Sequence, residues 1–310
     1  MSFFFCFKLT KLDFHVNFHL ETLKNGGFAM KFIPLDKSWV IRMGVLDIIH
    51  DHDDIVLFLN TQTTLSDDLL ALKRACDVWN TNNPIEVGES GTLYRFLQFA
   101  SWKLNLNKRF VTEGTLRERK IGQDSSLVNL TQRELLELPG EPTSQWASAA
   151  VLLGNEERLA NAPYKLRVTY EAVDHWRSQR SGGKTWEPRG DPTILTQAET
   201  FVKLLRGERP DFVPLQAEDY CFAHAFGYVS REEGARKWTT LSGHESNRLE
   251  EMEKVLAEAQ AGQEIVSKDH RVIHAIVMWG LENKIKIKVR YPDVVRKSWP
   301  EFWQFIDTTS

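Results

Sequence analysis

Apolar positions along this chain recur with two different periods. Leu69, Leu72, Ala75, Cys76 and Trp79 are spaced as one face of a helix, behind the capping residues Ser66 and Asp67. Leu93, Phe96, Leu97 and Ala100 repeat that spacing behind Gly91 and Thr92. The run at 146–153 predicts a largely buried helix. Helical stripes follow at 195–205, 249–261 and 272–281, with an aromatic helix at 302–306. Continuous or alternating apolar residues predict strands at 55–59, 166–170 and 285–289. Gly, Pro and charge dominate 177–194, which reads as a long irregular connection. Strand-like and helix-like runs alternate without an exact repeat, so the chain is expected to be α/β.

Two readings of the N-terminus stand side by side. Residues 12–18 alternate with period two, as a genuine first strand would. Met30 opens directly into the first chemical motif, which would make it the natural start.

Composition narrows the function. A chain of 310 residues, 42% hydrophobic, can bury enough surface for two globular units. Its 39 basic and 42 acidic residues leave a net charge of -3, so no long-range positive field draws in nucleic acid and any anion site must be local. Cys6, Cys76 and Cys221 are odd in number and lack metal-type spacing, which predicts reduced thiols with no disulfide framework and no zinc site. The apolar run at 3–7 lacks the flanks of a signal peptide, and no run approaches the length of a membrane span. The expected protein is a cytoplasmic monomer with no membrane partner.

Several short segments carry chemistry. Asp36, Lys37, Ser38 and Arg42 put an ammonium, a hydroxyl and a guanidinium at a helix start, where an anion can be held, although such residues also simply face solvent. Glu89, Ser90, Gly91 and Thr92, with Arg95, read as an anion cradle or as ordinary capping. In the 115–120 segment, Arg117 and Arg119 would share a face if it is extended, with a solvated basic strand as the alternative. Thr143, Ser144 and Gln145 follow, then residues 244–248, then Asp269, His270 and Arg271, and finally residues 296–300.

In this order the segments resemble the signature series of the enolpyruvylshikimate-phosphate synthase family, over roughly residues 34–303. The resemblance implies a two-domain enolpyruvyl transferase-like fold, an inverse α/β barrel of βαβαββ units with one or more units missing. Residues 1–33 plus 236–310 would form one domain, 34–235 the other, with the active site in the cleft between them. The implied activity is carboxyvinyl transfer from phosphoenolpyruvate to shikimate 3-phosphate, in aromatic amino-acid biosynthesis, with no metal and no cofactor. Carried over by position, Lys37, Ser38, Arg42, Thr143, Ser144 and Tyr164 would hold the acceptor. Arg119, Arg248, Arg271 and Lys297 would grip phosphoenolpyruvate, with Gln145 and Gly91 beside them, while Glu245 and His244 would transfer protons.

The chain departs from the family pattern at four of these places. Leu35 replaces a Gly, Glu89 an Asn, His244 a Lys and Asn247 an Asp. It is also shorter between Tyr164 and His244, where Asp219 matches either the family's catalytic base or an upstream structural Asp. These departures keep open a second reading, a catalytically degenerate relative that only binds anions. A third, the sister activity on UDP-N-acetylglucosamine, needs a reactive Cys within 111–122, where this chain has none.

Overall fold

The computed structural model describes residues 31–119, 122–138, 143–182, 187–242 and 245–309. The expected strand at 12–18, the alternative start at Met30, Cys6, Lys120 and His244 lie outside these residues, as does the side chain of Thr143. The secondary structure described is mixed α/β and mostly helical. No described helix is long and apolar enough to cross a membrane.

The first hydrophobic core runs from Trp39 to Trp176. It holds α1 (Lys37–His50), α2 (Asp54–Thr61), α3 (Asp67–Val78), β1 (Ile85–Gly88), α4 (Gly91–Lys103) and β2 (Phe110–Thr112). After these come α5 (Gly114–Glu118), α6 (Gln132–Leu136), α7 (Thr143–Leu152) and α8 (Tyr164–Arg180). The second core joins Phe32 to residues 194–306. Its elements are α9 (Pro192–Leu205), α10 (Tyr220–Ala225), α11 (Arg231–Lys237), α12 (Arg248–Gln260), β3 (Glu264–Ile265), α13 (His270–Glu282), β4 (Lys288–Val289) and α14 (Phe302–Thr309).

The described strands form two parallel pairs, β1 with β2 and β3 with β4, each joined through one crossover helix, α4 or α13. Each core therefore carries one short βαβ unit.

The hydrophobic cores divide the chain between Trp176 and Ile194, whereas the resemblance implies a domain boundary at residues 235 and 236. Residues 194–226 pack with the C-terminal elements because α9 and α10 lie against α13. The chain crosses between the cores twice, and the two crossings are tied to each other. Leu35 pairs antiparallel with Gly190, Asp36 N–H donates to the Arg189 carbonyl (2.9 Å), and Asp191 N–H donates to the Pro34 carbonyl (2.8 Å).

Two expected strands are helices. Residues 55–59 belong to α2, where Ile55 N–H donates to Asp47 Oδ2 (2.9 Å) and the buried positions are Ile55 and Leu59, four apart. A short apolar run carries no period by which to tell helix from strand. Residues 166–170 lie inside α8, whose buried face continues through Val173 and Trp176. The 115–120 segment begins as the short helix α5, so the extended arrangement of Arg117 and Arg119 does not occur. Within 285–289 only Lys288–Val289 is a strand. The expected connection at 177–194 is shortened from both ends by α8 and α9.

Candidate functional site

A cavity of about 410 Å³ lies between the two cores and is lined by residues of both. Its wall is made largely of helix beginnings. The first turns of α1, α3, α4, α7, α8, α9, α12 and α13 contribute Lys37, Asp68, Gly91, Ser144, Tyr164, Thr193, Arg248 and Arg271 respectively. Helix N-termini present unpaired N–H groups and a partial positive charge, so their convergence favours an anion. Eight cationic side chains line the cavity with six carboxylates, which leaves it positive inside a chain of net charge -3.

Glu245 is the hub of the charge network. Its carboxylate meets Lys297 Nζ at 2.6 Å, Arg248 Nη2 at 3.2 Å, Arg119 Nη2 at 3.4 Å and His270 Nδ1 at 3.9 Å. Burial alone would raise its pKa, but Lys297, His270, Arg248 and Arg119 together hold it well below the ordinary carboxylate range. Burial, with Lys37, Arg271 and Lys297 nearby, drives His270 well below the usual imidazole range despite the opposing pull of Glu245, so the ring is neutral.

Arg248 is fixed from behind. Its Nε and Nη2 donate to the two oxygens of Asp269 (2.8 and 3.2 Å), and Asp269 also caps α13 by accepting from Arg271 N–H (2.9 Å). Arg271 is different. Its side chain is buried and lines the cavity, but Nε and Nη1 have no hydrogen-bond partner, and no carboxylate among the described residues lies within ion-pair distance. A buried, uncompensated guanidinium is costly unless an anion comes to it.

At the other end, Lys37 pairs with Asp68 (2.7 Å), and its ammonium also reaches the Lys297 carbonyl (3.5 Å) across the cleft. Lys165 donates to Ser38 Oγ (3.2 Å) and pairs with Glu218 (3.0 Å). Arg95 donates to Gln145 Oε1 (3.0 Å) and to the Gly91 carbonyl (3.2 Å). A side chain on Gly91 would meet Arg95 at 3.0 Å and Arg119 at 3.5 Å, so glycine leaves room for both guanidinium groups.

Most of the residues singled out from sequence thus meet here. Lys37, Ser38, Arg42, Gly91, Arg119, Ser144, Gln145, Tyr164, Glu245, Arg248, Arg271 and Lys297 all line the cavity. Two of the expected residues have other work. Arg42 reaches the wall, yet its donors go to Thr169 Oγ1 (2.7 Å) and to the carbonyls of Ser38 (2.7 Å) and Lys165 (3.0 Å), so it braces α1 against α8. Burial lowers its pKa to about 10. Asp219 does not line the cavity, because its carboxylate accepts from Leu215 and Gln216 N–H (2.9 and 3.1 Å) and from Gln197 (3.2 Å), holding the turn before α10. Its neighbour Glu218 is the carboxylate that reaches the cavity.

Sequence reasoning gave no role to Lys165, Asp68, Glu218 or His270. His270 is named with Asp269 and Arg271 as one segment, but nothing in the sequence gives it a part of its own. Lys165 and Glu218 carry no local signal and meet only through the packing of α8 against the segment before α10.

Glu245, Asp269 and His270 present ligand atoms within 4.8 Å of one another, the spacing of a metal site. Both carboxylates are already engaged by Lys297, Arg119 and Arg248, whose charges repel a cation. Burial raises the Cys76 and Cys221 thiols to about 12, the chemistry of packed rather than nucleophilic cysteines. In comparisons with family models, curated proteins and solved structures, nothing matches this chain.

Proposed function

We propose that this protein transfers a carboxyvinyl group from phosphoenolpyruvate to shikimate 3-phosphate or a closely related phosphorylated cyclic alcohol, as a reduced enolpyruvyl transferase. The observation that carries the proposal is the convergence of dispersed segments on one cavity that holds an unpaired, buried guanidinium, Arg271. On this reading the one βαβ unit in each core is what the chain keeps of the family's βαβαββ units.

The chemistry follows from the charges. Phosphoenolpyruvate brings a phosphate and a carboxylate, and Arg271, Arg119, Arg248 and Lys297 would hold them and offset their repulsion from the acceptor's phosphate. Lys37, Ser38, Ser144, Tyr164 and Lys165 line the end that would take the acceptor. The acceptor hydroxyl adds to C2 of phosphoenolpyruvate and loses its proton as C3 gains one; C3 then loses a proton as phosphate leaves. Glu245 is ionised because Lys297, Arg248 and Arg119, with His270 beside them, face it. Anions that occupy those neighbours would raise its proton affinity and make it the acid at C3.

A binding-only protein is the second reading. It is favoured by the commitment of Arg42 and Asp219 to structural bonds and by a carboxylate, Glu89, in the cavity wall. The deciding experiment measures phosphate release from phosphoenolpyruvate with and without shikimate 3-phosphate. Acceptor-dependent release that disappears in Arg119→Ala supports transfer. Its absence, with both ligands still bound, supports the binding-only reading.

A further inference from the structure

Glu89 stands in the wall of a cavity otherwise suited to anions. It lies in the turn between β1 and α4, and its carboxylate faces Lys297, with Oε2 at 3.8 Å from Nζ. The same oxygen accepts a hydrogen bond from Thr115 Oγ1 (3.1 Å), and Thr115 Oγ1 in turn accepts from Arg119 Nη2 (3.0 Å). Glu89 is therefore joined to two of the cations that would hold a phosphate group.

Its position is built rather than incidental. Gly114 sits at φ +47°, and a Cβ there would overlap the Glu89 carboxylate, so α5 begins with the one residue that leaves space for it. The side chain is also about one-third exposed, so it keeps lone pairs for a ligand.

A carboxylate among phosphate-binding cations has a specific consequence. It repels an oxyanion that carries no proton, because two acceptor oxygens would face each other without a hydrogen between them. It accepts a hydrogen bond from an oxyanion that does carry one. Inorganic phosphate keeps at least one proton at neutral pH, and phosphate monoesters, with a second pKa of about 6, can carry one when bound. Sulfate, a much stronger acid, cannot.

We propose that Glu89 makes this cavity selective for protonated oxyanions, so that it takes phosphate and phosphate monoesters as their P–OH forms and rejects sulfate. The inference rests on the anion-cavity reading above but not on turnover.

The test is titration calorimetry of the full chain with inorganic phosphate and, separately, with sodium sulfate at matched ionic strength. The variants are the native sequence, Glu89→Gln and Glu89→Ala, each checked for an unchanged circular dichroism spectrum. The native protein is expected to prefer phosphate at least tenfold. Glu89→Gln keeps an acceptor for Thr115 and gains an N–H donor, so sulfate binding should rise tenfold or more and the preference should vanish. Glu89→Ala should also lose the preference, with weaker binding of both anions because Arg119 loses its support through Thr115. Equal binding of phosphate and sulfate by the native protein would overturn this proposal alone. Failure of both anions to bind would overturn it together with the anion-cavity reading, and selectivity that survives in Glu89→Gln would overturn it by assigning the proton acceptor elsewhere.

Discussion

At the scale of single residues, the cavity stores unpaired charge. Arg271 is buried with two nitrogens lacking partners, while the nearby carboxylates are claimed by Lys297, Arg119 and Arg248. A buried charge without a partner lowers stability, and even paired buried charges, when replaced by apolar side chains of similar volume, are often neutral or gain about 1–4 kcal/mol. Arg271→Met is therefore expected to raise the thermal midpoint by several degrees while abolishing the stabilisation that phosphate gives the native protein. Differential scanning calorimetry with and without phosphate measures both. An unchanged midpoint with retained phosphate stabilisation would show that Arg271 does not face the ligand.

At the scale of elements, the site depends on where helices begin. Asp36 caps α1 by accepting from Trp39 N–H (3.1 Å) and also pairs with Arg189 (2.9 Å). Asp191 caps α9 by accepting from Thr193 and Ile194 N–H (both 3.0 Å). The two aspartates lie at the paired crossings between the cores, so each cap also fixes the angle at which a helix enters the cavity wall. Asp191→Ala removes a buried cap and should cost about 1 kcal/mol or somewhat more. Chemical denaturation should report a lower midpoint with an unchanged slope, because the same surface is exposed on unfolding.

Most of these helices were legible in the sequence. Stripes such as Leu93, Phe96, Leu97 and Ala100 repeat over several turns, and a repeated period is hard to mistake. Residues 55–59 were not, because a single buried turn looks the same in helix and strand until neighbouring elements choose its partners. The alternation at 166–170 misled for a related reason. Within α8 those residues touch α1 on one side and α7 on another, so burial follows two neighbours rather than one face.

At the scale of the whole molecule, two cores meet over a cavity whose titratable groups set the acid response of the fold. His270 and His274 are both held well below the usual imidazole range, chiefly by burial, so they are neutral when folded. A depressed folded pKa means that the unfolded chain binds more protons, so these histidines contribute stability above about pH 6.5 and lose it as pH falls toward their folded values. Glu245, held well below its ordinary value, adds a second loss as pH falls below about 4.3. The thermal midpoint should therefore drop between pH 7 and pH 5, before carboxylates titrate, and His274→Phe should flatten that drop. A midpoint constant over this interval would contradict the buried neutral histidines.

The helical stripes, the anion-friendly segments and their order are legible in the sequence alone, because each depends on residues within a few turns of one another. The sequence also marked many of the charged residues that line the cavity, though not Lys165 or Asp68. Only the tertiary structure decided that the cores divide between Trp176 and Ile194, that Asp219 turns away while Glu218 faces in, that Arg42 braces two helices, and that Arg271 stays unpaired. Those outcomes depend on distances between residues far apart in the chain. A carboxylate's role is set by which donors packing brings to it, and no local pattern records that.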